Sequence, residues 1–371
     1  MTLESLDLKF MEDALAQARL GAGRTHPNPA VGAVIVKDGR VVGRGSHAGP
    51  GRPHAEILAL REAGQSARGA DLYVTLEPCC HHGRTPPCAD AIVKAGVRRV
   101  IAAVKDPNPI VSGKGIEKLL AAGVQVVSGV LGDVAAEVDE AYHLFYLKRR
   151  PMVTLKWAQS LDGRVVAPEG GYLTGEEARR RVHEARYLAD AVLVSGGTAL
   201  RNDPRLTVRL DARSKTLVRI ITDADGRVCP GPRLLSTCPG GGPIWVLRGE
   251  KAPGPPLVEH EGVERVLLPG GGAEGLGVAD VLRCLRERSI MSVYVEAVGR
   301  LASAFLSGGW VDRLEIHLAP MILGGSSPGP AAAGGRVAVS GSGLDLSAAS
   351  WRQVGRDRIL YCRLEGKCLR A

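Results

Sequence analysis

Aromatic residues are scarce: Phe, Trp and Tyr make up 4% of the 371 positions. No basic stripe interleaved with rings runs through the chain, so nothing in it suits stacking on bases, and nucleic acid is not the expected partner. Long apolar runs are missing too, and no segment is long enough to span a bilayer. The opening stretch MTLESLDLKFMEDALAQARLGAG carries acids early and lacks a continuous apolar core, so it does not read as a signal peptide. Internal repeats are absent. These absences point to a cytoplasmic protein whose eight cysteines stay reduced and read as metal ligands or free thiols before disulfides.

What is present supports two packed cores: 45% of residues are hydrophobic and 23% charged, over a length that suits two domains. The net charge of +9 is spread along the chain and fits an anionic small substrate. In the first half, the spacing of Phe10, Ala14, Leu15 and Ala18 predicts a helix. VGAVIVKDGRVVGRG predicts a hairpin turning at Asp38-Gly39. HAEILALREAG predicts a helix, DLYVTLEP a strand stopped by Pro78, CADAIVKAG a helix, VRRVIAAVKDP a strand, GIEKLLAAG a helix and VQVVSGV a strand. Such alternation means an α/β architecture with parallel pairing. The charged cluster YLKRRP closes this unit, which gives domains of 1–148 and 149–371. The second half alternates again, with VRIITD and PIWVLR as strands, and the remaining Gly- and Pro-rich stretch between Cys229 and Gly277 reads as surface loops.

PHAE and EPCCHHGRTPPC carry the chemistry. His54, Cys79 and Cys88 form a zinc set of one imidazole and two thiolates, three protein ligands with a fourth position for water, as catalytic sites require. Cys88 starts a helix, where a thiol is expected to deprotonate readily. His54 and Glu56, two apart, do not share a face of a regular helix. The expectation is therefore His54 at the helix entrance and Glu56 in the first turn, both aimed into one pocket. Glu56 is expected to move protons rather than bind metal. Each pair alone is weak; in this order they match the His-x-Glu, Pro-Cys pattern of zinc nucleobase deaminases, except that the cysteines are further apart. The remaining cysteines, and the loop residues His81 and His82, read as structural or solvated. Arg186, Arg209 and Lys156 read as spare cations near turns, suited to a phosphate, and SGGT after the strand AVLV reads as a Gly-rich turn.

The segments HPNPAVGAVIVKDG, PHAE, TLEPCCHHGRTPPC and DPNP, in this order, resemble the deaminase half of the bifunctional riboflavin biosynthesis (RibD) family. SLDGRVV, DAVLVSGGTALRNDPRLTVR and DRLEIHLAPMILGG look like its reductase half. The resemblance implies a cytidine-deaminase-like three-layer α/β/α domain followed by a dihydrofolate-reductase-like α/β domain. It implies Zn2+ and NADPH as cofactors, a small phosphorylated pyrimidine as partner, and a dimer or larger homo-oligomer. By resemblance, Asn28 orients the pyrimidine, and His47, Arg84, Thr85, Asp106 and Asn108 meet the ribose phosphate. Gly170, Arg186, Leu206, Arg209 and Glu296 fall where the reductase substrate binds. Lys156, Ala158, Tyr172, Thr174, Thr198, Asn202, Ala224, Val298, Gly299 and Arg300 fall at the NADPH site. Departures from the family pattern are Cys80 and Gly170 for serine, Tyr172 for tryptophan, Asn202 for aspartate, Ala224 for serine and Val298 for glycine. The implied reactions are deamination of 2,5-diamino-6-(5-phosphoribosylamino)pyrimidin-4-one and reduction of the product's ribosyl group to ribityl. Two alternatives stay open: a deaminase whose second half is a retired reductase, and a tRNA deaminase.

Overall fold

The computed structural model describes residues 3–81, 86–167, 171–211, 214–252, 260–271, 275–324 and 343–364. The chain divides into two compact units, Met1–Arg149 and Arg150–Ala371.

The first unit runs α1 (Leu3–Gly21), β1 (Gly32–Lys37), β2 (Arg40–Ser46), α2 (Ala55–Ala63), β3 (Asp71–Val74), α3 (Cys88–Ala95), β4 (Arg99–Ala102), α4 (Lys114–Ala121), β5 (Gln125–Ser128), α5 (Gly132–Val138) and α6 (Glu140–Leu147). Its five strands are ordered β2-β1-β3-β4-β5, antiparallel at the first two pairings and parallel from β3 onward. Asp38 and Gly39 both have positive φ, 49° and 73°, as a two-residue turn matching strand twist needs. The expected three-layer arrangement is found. Phe10, Met11, Ala14 and Leu15 of α1 pack on one face with Val34 and Ile101, while α2 lies on the other.

Glycines let both helices sit close. A Cβ on Gly32 would stand 2.1 Å from the Ala14 carbonyl, and one on Gly45 1.9 Å from the Ala55 carbonyl at the start of α2. Because α2 carries Glu56, Gly45→Ala must displace the helix that presents it. The expected cost is about 1–3 kcal/mol, read as a lower thermal midpoint together with a lower zinc content per chain.

The second unit runs β6 (Met152–Ser160), α7 (Glu176–Leu188), β7 (Ala191–Ser195), α8 (Gly196–Asn202), β8 (Val218–Asp223), α9 (Pro232–Leu235), β9 (Ile244–Gly249), β10 (Val263–Leu268), α10 (Val278–Glu287), β11 (Ser292–Glu296), α11 (Gly299–Ser307), β12 (Arg313–Ala319), β13 (Ser350–Val354) and β14 (Asp357–Arg363). The nine strands are ordered β10-β9-β8-β7-β11-β6-β12-β14-β13. All pairings from β10 to β12 are parallel, and β14 and β13 add antiparallel strands at one edge. The strands alternate apolar residues onto two faces. Leu193, Ile220 and Val293 join one core, and Val192, Ile221 and Tyr294 another. From β7 the chain moves outward through β8, β9 and β10; it then returns to place β11 between β7 and β6. The strand order therefore reverses at β7 and β11, the kind of point where ligands bind in open α/β sheets.

Several sequence expectations need correction. The strand of DLYVTLEP ends at Val74, well before Pro78. The stretch between Cys229 and Gly277 is not only loop: it holds α9 and the parallel edge strand β10, whose burial is low enough to hide it among polar residues. SGGT is not a free turn. Ser195 caps α8, its side chain accepting from the Thr198 N–H, and the glycines form the first turn.

Candidate active sites

In the first unit, the end of β2, the start of α2 and the segment after β3 converge on one pocket. His54 is the N-cap of α2, and Glu56 sits in its first turn. His54 has extended rather than helical backbone (ψ 160°), so the two residues are not bound to helical spacing, and both line one pocket. Cys88 is the first residue of α3, preceded by Pro87. His54 Nδ1 lies 3.6 Å from Cys79 Sγ and 3.3 Å from Cys88 Sγ. The three ligand atoms lie within 4.8 Å of one another, and Glu56 is not one of that group. Ordinary Zn–N and Zn–S lengths in a tetrahedral site separate N from S by about 3.6 Å, so the residues fit zinc.

The two thiols are bonded to each other. The Cys79 thiol is held below its ordinary value, first by the bonded Cys88 thiol, then by His54 and by the Cys88 backbone N–H at 3.3 Å. Cys79 thus receives the first amide of α3. Cys88, buried and beside Cys79 and Glu56, is pushed up. His54 is raised, first by its bond to Cys79. Glu56 is 3% exposed; burial, then the charge of Cys79, push its carboxyl up to about 7. A carboxyl at that value can both hold and release a proton near neutral pH.

Asn28 and His47 line the same pocket. His47 Nδ1 is 3.1 Å from the Pro53 carbonyl. That contact places the ring proton on Nδ1 and leaves Nε2 to accept from the Asn28 amide at 3.1 Å. Burial lowers His47 and keeps it neutral. Asp106 and Asn108 follow β4 and also line the pocket. Arg84 and Thr85 lie outside the described residues, as does His82, whereas His81 reaches the pocket edge.

Sequence reasoning missed Glu77, Asp139, Tyr142 and Tyr146. The Glu77 carboxylate accepts from four backbone amides, Asp106, Gly113, Gly115 and Ile116, at 2.8–3.2 Å. It fixes the loop bearing Asp106 and Asn108. Asp139 caps α6 and also accepts from Ala30 N at 2.7 Å and His26 Nε2 at 2.9 Å, joining α6 to the loop of Asn28. The available signal was an Asp ahead of an apolar stretch with tyrosines at i and i+4.

In the second unit, the named residues lie on or beside β6, α7, β7, β8, β11 and α11. Lys156 lies in β6, in register between Glu296 of β11 and Glu315 of β12. It is therefore mid-sheet rather than near a turn, and burial lowers its ammonium. Arg186 is not spare: its Nε and Nη2 donate to Glu296 at 2.6 and 3.0 Å. Burial pushes Glu296 up, but the guanidinium outweighs it and holds the carboxyl below its ordinary range. Arg209 is exposed and bonds to Thr207 Oγ1 at 3.2 Å. Leu206 is buried with φ 55°. Asp203 caps α9 by accepting from the Arg233 and Leu234 amides. Thr198 sits on α8 with Asn202 at its end, Ala224 follows β8, and Ala158 lies in β6. Thr174 is buried ahead of α7, and Tyr172 is exposed beneath the Arg179 guanidinium at 4.5 Å. Gly170 lies outside the described residues.

Val298, Gly299 and Arg300 form the start of α11. Gly299 has φ 58°, and no side chain caps the helix. Amides at a helix N-terminus suit a phosphate, and the branched Val298 stands at that position.

Residues 151–360 match the family described as RibD C-terminal domain, and residues 4–104 match the cytidine and deoxycytidylate deaminase zinc-binding region. The riboflavin biosynthesis protein RibD of Aquifex aeolicus is 42% identical over 324 residues, 87% of this chain and 89% of that protein. The Escherichia coli RibD is 40% identical over 341 residues, 87% and 90% of the two chains. Among solved structures, Acinetobacter baumannii RibD superposes with a TM-score of 0.84 at 34% identity, covering 98% of this chain and 99% of that one. The Thermotoga maritima diaminohydroxyphosphoribosylaminopyrimidine deaminase/5-amino-6-(5-phosphoribosylamino)uracil reductase gives 0.83 at 34% identity, with the same coverage.

Proposed function

The chain belongs to the riboflavin biosynthesis protein RibD family, and from that premise we propose that its two units catalyse consecutive steps on one phosphorylated pyrimidine. It is a bifunctional deaminase and reductase; the reading of a retired second half is not favoured. The first unit takes 2,5-diamino-6-(5-phosphoribosylamino)pyrimidin-4-one, adds water at the carbon bearing the 2-amino group and releases ammonia. The second reduces the product's ribosyl group to ribityl with NADPH. The observation that carries the first half is the convergence of His54, Cys79 and Cys88 beside buried Glu56.

His54, Cys79 and Cys88 would hold zinc, which supplies the Lewis acidity that makes water a nucleophile near neutral pH. Glu56 takes the proton of the attacking water on its carboxylate and returns it to the departing amine. Asn28, fixed by neutral His47, orients the ring. In the second unit, NADPH supplies the hydride. The start of α11 and the end of β7 would hold the dinucleotide, and the Arg186–Glu296 pair keeps a paired charge beside them. The thiol ligands work only when reduced, which fits a cytoplasmic setting.

Removing the metal tests the division of labour. Dialysis against a zinc chelator should abolish deamination and leave reduction of the deaminated product within about twofold. Loss of both activities together would contradict two separate sites.

A further inference from the structure

Helix α6 lies outside residues 4–104, the part matched to the zinc-binding region of deaminases with other substrates. It nevertheless lines the pocket with Tyr142 and Tyr146. What that shared region does not carry must be supplied by what surrounds it. On the deaminase reading above, we propose that Tyr142 is a positioning residue: its hydroxyl sets the Asp106 carboxylate to receive the substrate's ribose hydroxyls, and so selects a pyrimidine that carries its sugar.

The geometry is specific. Tyr142 Oη donates to Asp106 Oδ1 at 3.0 Å, with Oδ2 at 3.3 Å. The Asn108 N–H donates to the same Oδ1 at 2.8 Å. Both groups are buried, at 3% and 5% exposure. Glu77 fixes the loop backbone beneath Asp106, and Tyr142 fixes its side chain together with the Asn108 N–H, as the one bonded group that comes from outside the loop. Asp139 anchors Tyr142 in turn, accepting from its backbone N–H at 3.2 Å. A carboxylate repels phosphate and accepts from hydroxyls, so the sugar, not its phosphate, is the partner that fits Asp106. Burial, followed by the charge of Asp106, pushes the Tyr142 phenol up, so it stays a donor throughout the working range. Tyr146, with its ring centroid 5.0 Å from that of Tyr142, backs the pair.

The test uses the full zinc-loaded chain and two substrates, the ribotide and the same pyrimidine without its ribose phosphate. Tyr142→Phe keeps the ring and removes the hydroxyl. KM for the ribotide should rise about tenfold with a much smaller change in kcat, the mark of lost binding rather than lost chemistry. The sugarless base should lose far less. Tyr142→Phe combined with Asp106→Asn should be no worse than Asp106→Asn alone, because one acts through the other. Equal losses on both substrates, additive losses in the double variant, or a ribotide KM unmoved by Tyr142→Phe would each overturn the proposal. A wild-type chain inactive on the ribotide would overturn the deaminase reading itself.

Discussion

Glu56→Gln should reduce deamination by about 10³-fold, within the span expected for removal of a general acid–base, while zinc content per chain is unchanged. Gln keeps the size and most of the hydrogen bonding of Glu but cannot carry a proton. Glu56 is buried beside the ligands, its carboxyl pushed up to about 7 by burial and then by Cys79, yet it stands outside the group of atoms that can share an ion. Metal analysis and turnover on the same preparation separate the two roles. Loss of zinc along with activity would make Glu56 a ligand. The reductase step, supplied with deaminated product, should be unaffected.

Glu296→Ala should destabilise the second unit by about 3–5 kcal/mol, as expected when one partner of a buried ion pair is removed. Arg186 is 7% exposed and its guanidinium donates twice to Glu296. One further bond, to the Thr207 carbonyl at 3.0 Å, does not neutralise it. Denaturant unfolding would measure the loss. Replacing Arg186 with Leu in the same chain should recover much of the stability but none of the reduction. The exposed pair Arg288–Glu264, at a similar 2.6 Å, is the control: Glu264→Ala should cost under about 1 kcal/mol. Comparable costs at the two positions would mean that burial does not govern the Arg186 pair.

Much of the first unit was legible because its signals are local. A hairpin turn at Asp38-Gly39, a helix opened by Pro53-His54 and a cysteine at a helix start each act within a few residues. The ligand set follows from them. What escaped depends on contacts distant in sequence. The Cys88 amide at the start of α3 meets the Cys79 sulfur, a contact that helix position alone does not give. Arg186 looked free because its partner lies 110 residues away. Glu77 was hidden for the same reason: its four amide partners begin 29 residues downstream. Strand β10 was hidden because it lies at a sheet edge with several exposed positions, and its glycine-rich flanks outweighed its weak alternation.

The central claim is that one chain performs both steps. Mass spectrometry of the products formed from the diaminopyrimidine ribotide by the zinc-loaded protein tests it directly. Without NADPH, the account predicts a single product in which an amino group has been replaced by oxygen. With NADPH, that product should give way to its ribityl form, two hydrogens heavier. Deamination with no ribityl compound on adding NADPH would contradict the account and leave the second unit without its chemistry.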